Sequence, residues 1–273
     1  VSLGDAEMRG FLWRDAGSTK TSATRAAREL LDDGATVLVG PIGASNVRAV
    51  QAAVGSEVPV VVPGEAVGEA LGVAPTLEAR VEGLVRLAQA RGVNRIMVLA
   101  PDNGYGKRAL AAARAAVGKD ELVVQTYPPD TTSFQPLLLP LLGGLRRGGA
   151  VLVPDHLSRL ESVVRQLIRL DLAPSASGEG VMVLSTAEGA SAQALVDARK
   201  ILAEVWIAPT AWTSDDTAGF EQSFLDAEGH PPGDQELLVY RALQRALQAS
   251  DPGPPPLTLA HVAPDGELRT ASQ

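Results

Sequence analysis

The sequence predicts an α/β protein of two lobes, each a mainly parallel sheet with helices on both faces. Three observations lead there. Short apolar runs alternate with amphipathic stretches of ten or more residues. Several of those runs end in glycine-bearing mouths that lead into helix starts, as in "VLVGPIGAS" and "IMVLAPDNGYG". Gly/Pro-marked breaks then divide the series, which holds more strands than one compact sheet of this size needs.

Strands are expected at 36–40, 58–62, 95–100, 121–127, 150–153, 180–185 and 204–208, with a weaker candidate at 11–14. Helices are expected near 19–32, 45–54, 76–91, 105–117, 132–147, 157–170, 190–202, 215–228 and 234–249. Thr19, Thr21 and Ser22 offer hydroxyl caps to the first helix, Gly34 follows its end, and Asp155 and Ser214 stand at later cap positions. Breaks fall at Gly72-Val73-Ala74-Pro75, at Pro209-Thr210-Ala211-Trp212 and in "DPGPPP", residues 251–256. The helices after Trp212 have no strands of their own and would complete the first lobe. The expected lobes are 1–73 with 213–250 and 74–208 with 256–273, hinged near 73–76, 208–213 and 251–256. "PSASGEG", 174–180, reads as an exposed loop.

Composition narrows the function classes. The 273 residues are 45% hydrophobic and 21% charged, normal for a globular chain able to bury a core. A net charge of −8, with no basic run longer than Arg146-Arg147, argues against general nucleic-acid binding or adhesion to an anionic membrane. With no cysteine there is no disulfide and no thiolate chemistry. No apolar stretch approaches the roughly 20 residues of a membrane span. No signal peptide is read, and the chain opens on Val1 rather than Met, as a processed or trimmed chain would.

The mouths pose the chemical question, because ligands collect outside the carboxyl ends of parallel strands. "GPIGAS" lacks the Lys-Ser/Thr ending of a phosphate loop, no GxGxxG follows a strand, and no GxSxG nucleophile elbow occurs. His156, His230 and His261 are dispersed, so neither a metal nor a cofactor is indicated. Asp155 and Glu188 could form an acid–base pair, but a helix cap and a ligand-contacting carboxylate are the plainer roles. No catalytic motif is read, and an enzyme is not expected.

Four segments taken together, "ATVLVGPIGASNVRAVQAAVGSEVPVVVPG", "RIMVLAPDNGYGKRALAAARAAV", "YPPDTTSFQPLLLPL" and "FEQSFLDAEGHPPGDQELLVYRALQRAL", resemble type I periplasmic binding proteins. The branch is similar to the leucine/isoleucine/valine-binding type, which includes lipoprotein activators of penicillin-binding proteins. The resemblance implies two Rossmann-like lobes with three hinge crossings, a cleft between them, and a periplasmic or cell-envelope location. It also implies a lipid anchor carried by residues outside this chain.

It further implies capture of a small polar ligand, an amino acid or related metabolite, for ABC transport, with an ABC permease as partner. The alternative is a ligand-free envelope module whose partner is a cell-wall synthase. Physical chemistry distributes the ligand contacts. A ligand carboxylate suits the helix start at Gly43, Ala44 and Ser45, with Asn46 beside it, while an ammonium suits Glu188 and Tyr105. Ala66 and Asp155 complete the expected ligand-binding set. Ser45 and Asn46 also fit as plain helix caps, Glu188 as a cap of its own helix, and Tyr105 as a packing residue. Ala44 and the pair Glu65-Ala66 stand where amino-acid binders carry hydroxyls, and "VSLGDAEMRG" does not match the family's opening strand.

Overall fold

The computed structural model describes residues 10–118, 121–177, 180–211, 217–248, 257–265 and 267–270. Trp212, Ser214, the "DPGPPP" break, Gly178 and Glu179 of the expected exposed loop, and most of the opening segment lie outside the described residues. The chain divides into two compact units, Val1–Thr76 with Ala211–Pro256, and Leu77–Thr210 with Leu257–Gln273.

In the first unit, residues 11–14 are a loop and not a strand. Arg14 turns back to α1 (Lys20–Asp32), binding Asp33 just past its end and approaching Glu29 at 3.7 Å. Thr19 caps α1. Its hydroxyl accepts from Ser22 N at 3.1 Å while Ser22 Oγ accepts from Thr19 N at 3.2 Å, a reciprocal box worth about 1 kcal/mol. Ala23, Ala26 and Ala27 form the buried stripe of this helix. There follow β1 (Leu38–Val39), α2 (Ala44–Val54), β2 (Val60–Val62) and β3 (Leu71–Gly72), which pair in parallel in the order β1-β2-β3. The strand at β3 is absent from the sequence expectation, which read Gly72 as linker. Glycine is required there, because a Cβ would stand 2.1 Å from Ala66 N.

The second unit alternates α3 (Leu77–Ala90), β4 (Arg95–Pro101), α4 (Gly104–Val117), β5 (Glu121–Tyr127), α5 (Gln135–Leu138), α6 (Leu142–Leu145), β6 (Ala150–Val153), α7 (Leu157–Arg169), β7 (Met182–Ser185), α8 (Ala192–Leu202) and β8 (Trp206–Ile207). A single helix was expected over 132–147. Pro136 and Pro140 remove two backbone donors, and the chain makes α5, a 3-10 turn at Leu139–Leu141 and α6 instead. The chain then returns to the first unit as α9 (Ala218–Glu228) and α10 (Asp234–Leu247). Leu237, Leu238 and Ala242 of α10 pack with Val61 and Val73, and Arg245 donates to Gly72 O at 2.6 Å. Tyr240 stacks on Phe220 with ring centroids 4.2 Å apart.

The tail supplies two further strands the sequence reading lacks, β9 (Ala260–Val262) and β10 (Leu268–Thr270), both antiparallel at one edge of the second sheet. That sheet runs β10-β9-β8-β7-β6-β4-β5. Its strands β4 to β8 are parallel, and β4, β6, β7 and β8 are buried on both faces, which is why they read as continuous apolar runs, while β5 at the edge is only half-buried. Ile96, Val98 and Ala100 point to the layer of α3 and α4, whereas Met97 and Leu99 meet the layer of α5 to α8. A fully buried leucine such as Leu84 or Leu160 contributes about 2 kcal/mol of apolar burial. After β4 the chain goes to β5 on one side and β6 on the other. The carboxyl ends of β4 and β6 therefore flank a topological switch point, where open α/β sheets place their ligands.

Candidate functional site

In the first unit, β1 runs into Gly40-Pro41-Ile42-Gly43, with φ of 97° at Gly40 and 93° at Gly43. Those values favour glycine and start the helix earlier than Ser45. Gly43 is therefore the cap of α2 and contributes no side-chain hydrogen bond. This corrects the capping role expected for Ser45 and Asn46. Ser45 lies within the first turn, exposed, and the Asn46 amide only reaches Ile42 O at 3.4 Å. Asn46 N and Val47 N both close on Gly43 O at 3.0 Å. Among the described residues, the backbone amides of Ala44 and Ser45 have no hydrogen-bond acceptor, so this helix start is open to an anion. Ala66 is exposed on the loop that lies against β3.

In the second unit, β4 ends at Pro101 and Asn103 caps α4, accepting from Gly106 N at 2.9 Å. A Cβ at Gly106 would lie 2.0 Å from Pro101 O, so only glycine lets the first turn of α4 sit this close to the strand end. That closeness aims Tyr105 across the mouth. Its hydroxyl donates to Glu188 Oε1 and stands 2.8 Å from Thr186 Oγ1. Burial, and then the negative charge of Glu188, push the Tyr105 phenol well above its ordinary range, so it stays a neutral donor.

Glu188 follows β7 on a constrained loop. Ser185 Oγ donates to Val153 O at 2.6 Å and accepts from Ala187 N at 3.0 Å, and Ala187 and Gly189 adopt φ of 45° and 75°. The backbone of Glu188 is tied to the neighbouring mouth, with Glu188 N donating to Asp155 O at 3.1 Å and Leu157 N to Glu188 O at 3.0 Å. Glu188 is not a helix cap. Ser191 caps α8, accepting from Ala194 N at 3.2 Å.

The sequence reading missed the partner that matters most. Arg80 of α3 is completely buried and donates from Nη1 to Glu188 Oε1 at 2.6 Å, from Nε to Ala208 O at 2.6 Å, and from Nη2 to Thr186 O. A signal was present. Arg80 lies between Leu77 and Leu84 on the apolar stripe of its helix, where an unpaired charge would not be tolerated.

Asp155, expected as a cap and a ligand contact, does not cap the helix with its carboxylate. The cap of α7 is His156. Asp155 is buried, and accepts from Tyr127 OH at 2.6 Å and from His156 N at 2.7 Å. Tyr127 belongs to the core layer of α5 to α8, whereas Arg80 and Tyr105 lie with the layer of α3 and α4. Glu188 is engaged by Arg80 and Tyr105 and Asp155 by Tyr127 and His156 N, so the two carboxylates have separate partners and share none. Beside these loops, an open cavity of about 530 Å³ is lined by His156, Ser158, Glu161, Glu188, Gly189 and Asp197, among others. Among the described residues there is no cluster of three or more His, Asp or Glu side chains able to hold a metal ion, and no helix long and apolar enough to cross a membrane.

A family model described as periplasmic binding protein matches residues 10–249. Solved structures share the fold. The periplasmic ligand-binding protein of a branched-chain amino acid ABC transporter from Burkholderia xenovorans is 17% identical, with a TM-score of 0.73 over 95% of this chain and 82% of that one. A branched-chain amino acid substrate-binding protein from Streptococcus pneumoniae, solved with isoleucine, is 13% identical, with a TM-score of 0.59 over 93% and 84%. A solute-binding protein from Rhodopseudomonas palustris, in complex with 4-hydroxybenzoate, is 17% identical, with a TM-score of 0.58 over 86% and 67%. At these identities the likeness is one of fold. No curated protein matches the sequence.

Proposed function

From the premise that the chain belongs to the periplasmic binding protein family, we propose that it captures a small organic acid, an amino acid or related metabolite, outside the cytoplasm for delivery to an ABC permease. The observation that carries this reading is the convergence of Tyr105, Thr186 and Glu188 at the carboxyl ends of β4 and β7, beside the switch point of the sheet. The loops there are held by backbone and buried side-chain bonds, so the polar groups are fixed before a solute arrives. In the first unit, the open amides of Ala44 and Ser45 suit a solute carboxylate. The ligands named for the relatives, isoleucine in one and 4-hydroxybenzoate in another, show that the fold alone does not choose the solute.

The test is a calorimetric and thermal-shift screen against small carboxylic, hydroxy and amino acids. A solute at a hundred times its Kd stabilises the folded chain by about 2.7 kcal/mol. Tyr105→Phe, which keeps the ring and loses the hydroxyl, should weaken binding about tenfold, the ~1.4 kcal/mol of one hydrogen bond. An undiminished response in this variant would remove Tyr105 from the site. Silence across the whole screen would refute the solute-binding role.

A further inference from the structure

We infer that the second unit's site receives a neutral hydrogen-bond donor, above all a hydroxyl, and not the ammonium of an α-amino acid. The inference rests on the solute-binding reading above and narrows its ligand class to organic acids bearing a hydroxyl.

Desolvating an ammonium is costly, and an uncompensated negative charge is what offsets that cost best. The carboxylate aimed into this site is Glu188, and its charge is already taken. Arg80 Nη1 lies 2.6 Å from Glu188 Oε1, and the guanidinium is completely buried. Its Nε and Nη2 are bound to the Ala208 and Thr186 carbonyls, so Arg80 is locked by backbone and cannot swing aside for an incoming cation. Tyr105 adds no charge, because burial keeps its phenol protonated. The cluster of Arg80, Glu188, Tyr105 and Thr186 is therefore electrically neutral.

Neutrality does not empty the site of hydrogen-bonding capacity. Arg80 and Tyr105 both donate to the same oxygen, Oε1. Among the described residues Glu188 Oε2 accepts no hydrogen bond, and the side chain is 20% exposed. The site thus keeps an acceptor and has lost the charge, and a hydroxyl satisfies that acceptor without bringing a cation beside Arg80. Among the described residues no other acid is hydrogen-bonded to this cluster. Glu161, paired with Arg165, and Asp197, which accepts from the neutral Gln193 amide, stand on α7 and α8 and line the open cavity beside Glu188.

The experiment is isothermal titration calorimetry of the full chain at pH 7 with matched probes. Each set shares one side chain: leucine, 2-hydroxy-4-methylpentanoate and 4-methylpentanoate, then phenylalanine, 3-phenyllactate and 3-phenylpropanoate, then alanine, lactate and propanoate. The hydroxy acid of the set that binds should do so at least tenfold more tightly than its amino acid. An amino acid that binds as tightly as its hydroxy acid, or more so, overturns the inference and leaves the solute-binding role standing. No heat from any of the three classes overturns the role, and the inference with it. Arg80→Met gives the converse measurement. With Glu188 released, the hydroxy-to-amino preference should swing at least tenfold toward the amino acid, and an unchanged ratio in a folded variant refutes the argument. Should that variant fail to fold, the wild-type comparison decides alone.

Discussion

Arg80→Met removes the cation at the centre of the second unit while filling most of the volume of its stem. Three acceptors lose their donor: Glu188 Oε1, Ala208 O and Thr186 O. Breaking a buried ion pair from one side costs about 3–5 kcal/mol, because the remaining charge has no partner. Glu188 is 20% exposed and keeps the Tyr105 hydroxyl, so water and one bond relieve part of that loss. The two stranded carbonyls add about 1 kcal/mol each at the low end. A net loss of about 4 kcal/mol is expected, a large share of the 5–15 kcal/mol that holds a typical domain. Since the chain has two units, one bulk unfolding curve would mix their transitions, and native-state hydrogen exchange at the amides of β7 and β8 isolates the relevant one. Glu188→Gln should be similarly damaging, and the double variant should recover at least about 1.5 kcal/mol of coupling. A loss below about 1 kcal/mol, the range of an exposed ion pair, would refute the claim that Arg80 is a buried structural cation.

Gly106→Ala forces a Cβ to 2.0 Å from Pro101 O, and both partners are backbone, so a loss of about 2–3 kcal/mol and weakened solute binding should appear together in denaturation and calorimetry. Gly104→Ala, where the Cβ meets open space, is the control and should stabilise by up to about 1 kcal/mol. Equal effects at the two positions would remove the close-approach argument. At alkaline pH, Tyr105 and Tyr127 titrate higher in the folded chain than the ordinary phenol, raised first by burial and then by Glu188 and Asp155 respectively. The stability this contributes is complete below about pH 10. Above it, stability falls by up to about 1.4 kcal/mol per pH unit for each tyrosine, as the unfolded chain sheds protons that the folded chain retains. Urea denaturation between pH 8 and 11 should show this limb, and the Tyr105→Phe/Tyr127→Phe variant should flatten it. An equally steep limb in that variant would place its origin elsewhere.

Much of the fold was legible because its signals are local. The apolar run at 95–100 becomes β4, and Thr19 and Ser22 cap α1, both from periodicity and short-range hydrogen bonding. The site was half legible. Tyr105 and Glu188 stand after strands where ligands gather, and the structure joins their side chains. What they do there was not legible. The strands β3, β9 and β10 are two or three residues long and exist only through the neighbours they pair with. Asp155 reads as a cap until Tyr127, 28 residues away, takes its carboxylate. Arg80 meets Glu188 across 108 residues of chain. Local sequence sets which segments coil, extend or turn, since those preferences act over a few bonds. The charge a site presents to its solute depends on which distant groups share its buried space, and that is decided only when the sheet brings them together.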